Sequence, residues 1–323
     1  MSENRIAEIV KAFEFEDEIY KRAEIDAAIE LQEEITPHLI AILEDMLVNT
    51  SKYLANQDYI IQMYVLVLLA HFKERASHQV IVDLFSLPGE IPDKLFGDMK
   101  TEILPALLLK TCDGDLELIK SFILNKEANQ YCRGAGLEAI MFAVADGIIS
   151  REEALPFFAS LFTGNEDAEG SIFWSILAVC VRDLYPEELM DVIRQGYEDE
   201  LISPFFIAPE EFRRTLIVGK EQTLRRLQDK LRRQVPDNVH DYISSWPCFK
   251  QDEPSPFDLA ILAAAESKKR SRKSVSSPNR TPSSRKSSPK KAASKKGAIP
   301  NISKIAKRKK KKSRASRKKK KRK

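Results

Sequence analysis

Beyond Glu266 the sequence contains no acidic residue, which divides the chain into a part that can fold and a part that cannot. Residues 267–323 hold 27 of the 52 Lys and Arg and none of the 48 Asp and Glu. The stretch 1–266 therefore carries 25 basic against 48 acidic residues, a net −23 facing a tail of +27. Apolar material in the tail is limited to Val275, Ile299, Ile302, Ile305 and a few Ala. That is too little to offset the entropy of ordering the segment, so the tail is expected to be disordered. At 3.3–3.6 Å per residue it can extend to roughly 190 Å.

The acidic part, about 260 residues, is at the upper end of what one hydrophobic core supports, or is a repeat array, which has no such limit. Cys112, Cys132, Cys180 and Cys248 are too widely and unevenly spaced for a CxxC pair or zinc ribbon, and are expected to be reduced thiols. The N-terminus leads into acid-rich helix rather than an apolar stretch, so no secretory signal is expected. The longest apolar run, Tyr59–Ala70, is interrupted by Gln62 and is well short of the ~20 residues that span a bilayer. A soluble cytoplasmic monomer without membrane insertion is the expectation.

Periodicity sets the fold class. Ile35, Leu39, Ile42, Leu43 and Met46 recur at intervals of three and four, as do Leu116, Ile119, Phe122 and Ile123, then Leu189, Val192 and Ile193, then Leu224, Leu227 and Leu231. Each set forms one stripe of a helix. Alternating runs bounded by hairpin turns are missing. Ser150 followed three residues later by Glu153 predicts a capping box after a stop at Asp146-Gly147. An acid, two residues, a proline and an apolar run recur at Glu34–Pro37, Glu102–Pro105 and Glu153–Pro156. Such a proline fits a helix's first turn or kinks the helix. Paired helices at roughly 40–50 residue intervals predict an all-α, irregular HEAT-like α-solenoid of about ten to twelve short helices. An ordinary helical bundle is the alternative. The expected divisions are N-terminal acidic helices over 1–33, the helical domain over 34–249, a linker over 250–266 and the tail over 267–323.

Several runs carry a resemblance: Phe85-Ser-Leu-Pro-Gly-Glu, Phe96-Gly-Asp-Met-Lys-Thr-Glu-Ile-Leu-Pro, Arg133-Gly-Ala-Gly-Leu-Glu-Ala, Asp146-Gly-Ile-Ile-Ser-Arg-Glu-Glu and Asp183-Leu-Tyr-Pro-Glu-Glu-Leu. Over about Glu34–Phe249 the chain resembles a bacterial family of unknown function found in chlamydiae and cyanobacteria. The resemblance implies an all-helical HEAT-like domain with no known activity. Some members end in a Cys-rich zinc motif that binds other proteins. This chain departs there, because no Cys or His follows Trp246-Pro-Cys-Phe249 and the basic tail stands in its place.

Signals for catalysis are weak. His71 and His78 are seven apart but flank an apparent helix connection, and two His without a third ligand make no metal site. Cys132 beside Arg133 has a possible thiol activator, yet its helical face points to a core. Gly134-Ala-Gly136 is too short for a phosphate loop. No catalytic residue, metal or cofactor is expected. Asp98, Thr101, Glu102, Arg133, Arg151 and Glu152 fall at helix starts or connections. They are read either as a partner-binding edge, with Asp98, Glu102, Arg133, Arg151 and Glu152 as contact residues, or as helix-dipole partners and inter-repeat ion pairs. Arg213–Arg233 holds eight Lys and Arg against Glu221 and Asp229. Its Arg225, Arg226, Lys230 and Arg233 face away from the leucine stripe, to hold phosphates, to be solvated, or to neutralise the −8 segment Asp183–Glu211.

The tail supplies the candidate nucleic-acid ligands: Lys307, Arg308, Lys309, Lys310, Lys311, Lys312, Arg317, Lys318, Lys319, Lys320, Lys321, Arg322 and Lys323. No aromatic is interleaved, which argues against base stacking and sequence readout. DNA or RNA is expected to bind by phosphate neutralisation. Ser277, Thr281 and Ser288 each precede proline and are possible phosphoacceptors. The expected function is a non-enzymatic adaptor whose body binds a protein while the tail holds nucleic acid, in the cytoplasm and possibly at the nucleoid. Alternatives are a helical-repeat enzyme acting on nucleic acid near Trp174 or Trp246, a nuclear-import signal in a eukaryotic cell, or a tail that folds back on the acidic body.

Overall fold

The computed structural model describes residues 2–15, 19–56, 58–234, 238–244 and 246. The chain divides into two units, Met1–Glu253 and Pro254–Lys323, and the whole of the second lies outside the described residues. The tail's expected disorder and its thirteen candidate ligands therefore lie outside them too.

The first unit is all-α. Its helices are α1 (Ser2–Ala12), α2 (Arg22–Glu30), α3 (Gln32–Val48), α4 (Thr50–Leu54), α5 (Ile61–His71), α6 (His78–Phe85), α7 (Ile91–Phe96), α8 (Met99–Glu102) and α9 (Leu104–Thr111). They continue with α10 (Glu117–Leu124), α11 (Gln130–Ala145), α12 (Arg151–Ala159), α13 (Phe173–Asp183), α14 (Met190–Glu198), α15 (Pro209–Val218), α16 (Lys220–Gln234) and α17 (Val239–Ile243). Short 3₁₀ turns, Arg75–Ser77 and Glu187–Leu189, lead into α6 and α14. Among the described residues there is no strand, only the isolated bridges Phe15–Tyr59 and Pro88–Ala128. The helix count exceeds ten to twelve because corners cut longer helices into pieces of four to six residues, α4, α7, α8 and α17.

The predicted stripes are where the burial is. Ile35, Leu39, Leu43 and Met46 of α3 are buried, as are Ile119, Phe122 and Ile123 of α10. The repeated prolines occupy two kinds of position: Pro37 and Pro156 lie inside α3 and α12, and Pro105 sits in the first turn of α9. Ser150 caps α12 as its sequence requires. Its hydroxyl accepts from the Glu153 N–H at 3.2 Å, and the Glu153 carboxylate accepts from the Ser150 N–H at 2.9 Å.

Packing follows chain order through most of the body: α3 lies on α5, α5 on α9, α9 on α11, α11 on α13 and α13 on α15. Such neighbour-to-neighbour stacking is the arrangement of a helical-repeat array. The N-terminal helices share this core, since Phe13 after α1 stacks on Tyr64 of α5 with ring centroids 4.4 Å apart. The C-terminal helices depart from a linear array. Helix α16 returns onto α11 and α13, and α17 packs on α5. His240 of α17 meets Asp26 of α2 at 2.8 Å.

Helix α11 is the centre of this arrangement, in contact with α8, α9, α10, α12, α13 and α16. Its Gly134 and Gly136 let neighbours approach closely. A Cβ at Gly134 would lie 2.7 Å from Ile176 of α13, and one at Gly136 would lie 2.8 Å from Ile123 of α10. Overpacking of this kind costs about 1–3 kcal/mol. Gly136→Val is therefore expected to lower unfolding free energy by about that amount in urea denaturation, against no comparable loss for a substitution at the exposed Glu33.

Candidate functional site

Two arginines predicted as contact residues are internal fastenings. Arg133, on the first turn of α11, is completely buried. Its Nε donates to the Ile123 carbonyl at 2.8 Å, Nη2 to the Glu166 carbonyl at 2.7 Å and Nη1 to the Asp167 carboxylate at 2.9 Å, while the guanidinium lies 4.3 Å from the Phe173 ring centroid. The Glu166 side chain completes the loop, accepting from the Thr163 hydroxyl and from Trp174 Nε1 at 3.1 Å. Burial pushes the Arg133 pKa down, with Asp167 and Glu166 opposing it.

Arg151, the first residue of α12, does the same one layer on. It donates to the Leu184 and Tyr185 carbonyls and forms a two-pronged ion pair with Glu188. Burial opposes its charge, but Glu188 outweighs that and holds the guanidinium above its ordinary pKa. The Arg151 hydrogen bond brings the Glu188 carboxyl down to about 2. At Arg133 and Arg151 the contact edge is thus corrected in favour of the ion-pair reading: both point inward, their donors meeting the Ile123 carbonyl at the end of α10 and the loop carbonyls of Glu166, Leu184 and Tyr185. Glu152 is exposed but engaged, meeting Lys220 at 3.0 Å and Arg151 at 3.5 Å.

Asp98, Thr101 and Glu102 stay on the surface. Asp98 makes no side-chain cap to α8, so helix capping does not account for it. Asp98 and Glu102 border a cavity of about 480 Å³ walled by Tyr53, Tyr59, Phe96, Tyr242 and Trp246. The aromatics brace one another: Tyr53 and Tyr59 meet edge-on at 5.6 Å, and Trp246 meets Tyr64 at 5.4 Å and Tyr242 at 6.4 Å. Gln62 lines the same cavity. Its Nε2 donates to the Leu95 carbonyl at 2.9 Å, while its buried Oε1 has no partner among the described residues. In the sequence this site shows only as separate signs: the interruption of the apolar run at Gln62, the polar Asp98 and Glu102, and Trp246. The aromatics come from distant segments and give no local pattern.

The remaining candidates are structural. Cys112, Cys132 and Cys180 are buried, and burial pushes Cys132 up to about 12 and Cys180 well above its ordinary range. These thiols hold their protons at neutral pH, so Arg133 does not activate Cys132. Cys248 lies outside the described residues. His71 ends α5, and His78 begins α6 with its Nδ1 hydrogen-bonded to the Thr111 hydroxyl at 2.8 Å. Among the described residues no group of three or more His, Cys, Asp or Glu is placed to share a metal ion. No helix among them is long and apolar enough to cross a membrane.

Residues 4–250 match the family described as Protein of unknown function (DUF1186). The chain belongs to this family. Within curated proteins, an uncharacterized protein of Chlamydia trachomatis serovar D is 31% identical over 206 residues, covering 64% of this chain and 82% of the relative. An uncharacterized protein of Chlamydia muridarum matches to the same extent. No solved structure matches. Since the DUF1186 match ends at residue 250, the basic tail stands outside it.

In this DUF1186 protein, Arg133→Ala would leave Asp167 and two carbonyls without their buried partner, a loss of about 3–5 kcal/mol. Asp98→Ala and Glu102→Ala, both on the surface, are expected to stay within about 0.5 kcal/mol of the parent in urea denaturation. Glu188 supplies a pH dependence. Its folded pKa lies below the ordinary 4.5, so its contribution is present above pH 4.5 and is lost as pH falls toward 2. Glu188→Gln is expected to flatten the fall in denaturation midpoint across that window.

Proposed function

We propose that this protein is a non-enzymatic adaptor, in which the helical body takes a polypeptide partner in the acid-rimmed aromatic cavity and the tail holds DNA or RNA without sequence preference. The observation that carries the reading is the convergence of five aromatic walls and the Asp98 and Glu102 carboxylates around one cavity. Aromatic surface with a few placed polar groups is the composition of binding sites whose affinity comes from buried anchors. The lining also holds Lys94, but its charge is engaged by Glu90 at 3.1 Å, so the two carboxylates favour a partner presenting Lys or Arg, which the ring faces also attract. They repel phosphate, so a polynucleotide is disfavoured there, and with it the reading of an enzyme working on nucleic acid at Trp246. Trp174 is buried, and its Nε1 is committed to Leu161 and Glu166.

For the tail, 27 cations without a carboxylate favour binding through counterion release. If six phosphates are engaged, log affinity falls against log salt with a slope of about −5. The setting of this reading is the cytoplasm, at the nucleoid.

Two measurements test the two halves. Fluorescence anisotropy with a duplex and with a single strand should show that steep salt slope, with binding lost when the Lys and Arg of 307–312 and 317–323 are replaced by Ser. A shallow slope or retained binding would contradict the tail assignment. For the cavity, proteins captured by the full chain after nuclease treatment should be lost from the Asp98→Lys/Glu102→Lys variant and kept by the tail variant. Equal capture by all three would remove the cavity from the account.

A further inference from the structure

A second cavity, of about 380 Å³, lies between the end of α13 and the facing sides of α15 and α16. Its lining is dominated by cations from three helices: Arg182 of α13, Arg214 of α15, and Arg226, Lys230 and Arg233 of α16. Two carboxylates, Asp183 and Glu211, complete the charged lining. Their charge is already engaged. Arg182 binds Asp183 at 2.7 Å and also Glu211, and Lys230 stands 3.4 Å from Asp183. Behind them Glu138 of α11 is largely buried, and burial raises its pKa with Lys230 and Asp183 as the neighbouring charges. Arg214, Arg226 and Arg233 have no ion pair among the described residues, so the cavity keeps an excess of about three positive charges within a body of net −23.

The placement of these groups argues against simple solvation. Arg226, Lys230 and Arg233 are spaced by four and three residues, which puts all three on one face of α16, where like charges repel at a cost of a few tenths of a kcal/mol per pair. Of the basic residues of Arg213–Arg233, Lys230 alone pairs with a carboxylate of the Asp183–Glu211 segment among the described residues. What remains is a set of exposed arginines from α15 and α16 that line one open cleft, and a guanidinium matches the paired oxygens of a phosphate group. The volume falls in the range of small-ligand sites, about 300–1,000 Å³. No aromatic lines it, so nothing there stacks a base as a polynucleotide channel does.

We propose that this cavity binds the di- or triphosphate group of a small molecule, independently of the tail and of the aromatic cavity. Arg214, Arg226 and Arg233 contact the phosphates, and Arg182 and Lys230, held by Asp183 and Glu211, form the positive floor.

Because the tail also attracts anions, the test must localise binding. Hydrogen exchange of the full chain, followed peptide by peptide at constant ionic strength with sodium tripolyphosphate as probe, separates the two. The expected result is saturable slowing across residues 209–234, with half-saturation raised at least about tenfold in Arg226→Glu/Arg233→Glu, which removes two charge-assisted contacts. Both arginines are exposed, so the variant should melt near the parent. If it does not, Arg214→Gln replaces it with the same expected direction. Equal slowing in parent and variant, no slowing at 209–234, or slowing by a single-stranded oligonucleotide but not by tripolyphosphate would each overturn the proposal.

Discussion

The guanidinium of Arg133 is the fastening on which the body depends. A charge with no solvent exposure is stable only when its donors are satisfied and its countercharge is close. Here the donors reach two backbone carbonyls and the Asp167 carboxylate, and the flat face rests on Phe173. Through these contacts α11 holds the end of α10 and the loop that launches α13. The two glycines beside Arg133 bring Ile123 and Ile176 against the helix, so charge pairing and close packing act on the same turn. Arg151 repeats the device one layer on, with Leu184, Tyr185 and Glu188 in place of Ile123, Glu166 and Asp167.

Once these ties fix the stack, the C-terminal helices decide where cavities open on it. Helix α16 lies against α11 and α13, and its outer face, opposite α15, carries the cationic cavity. Tyr242 of α17 and Trp246 beyond it close one side of the aromatic cavity against α5 and the α7–α8 corner. The return of the chain thus builds two sites of opposite charge, one acidic and aromatic and the other basic and without aromatics. The two proposed ligands, a cationic polypeptide and a phosphate group, rest on that difference in lining.

The helical class, the apolar stripes, the α12 capping box and the burial of Cys132 were all legible in the sequence, because periods of three and four and local cap chemistry are short-range signals. For Arg133 and Arg151 two readings stayed open, a contact edge and an inter-repeat ion pair, and the structure has the ion pair. A charged residue at a helix start looks alike whether it faces solvent or a loop about 33 residues ahead, and only the fold brings Glu166 and Leu184 within reach. That interval recurs. Gln62 to Leu95, His78 to Thr111, Arg133 to Glu166 and Arg151 to Leu184 are each 33 residues apart, a regularity hidden by the uneven proline spacing. The aromatic cavity was equally hidden, its walls being drawn from residues 53 to 246. Asp98 and Glu102 were noticed as exposed polar residues, but what they border was not.

Native-state hydrogen exchange is the most direct test that α11 and its buried arginine organise the body. Amides of α11 and of the facing turns of α9 and α13 should exchange last, near the global unfolding free energy. Arg133→Lys, which keeps the charge but loses the fork, should release residues 163–177 to faster local exchange before the rest of the stack. If α11 exchanges no more slowly than α14 or α17, or if the substitution leaves residues 163–177 as protected as before, the stack is organised elsewhere and this account of the fold is wrong.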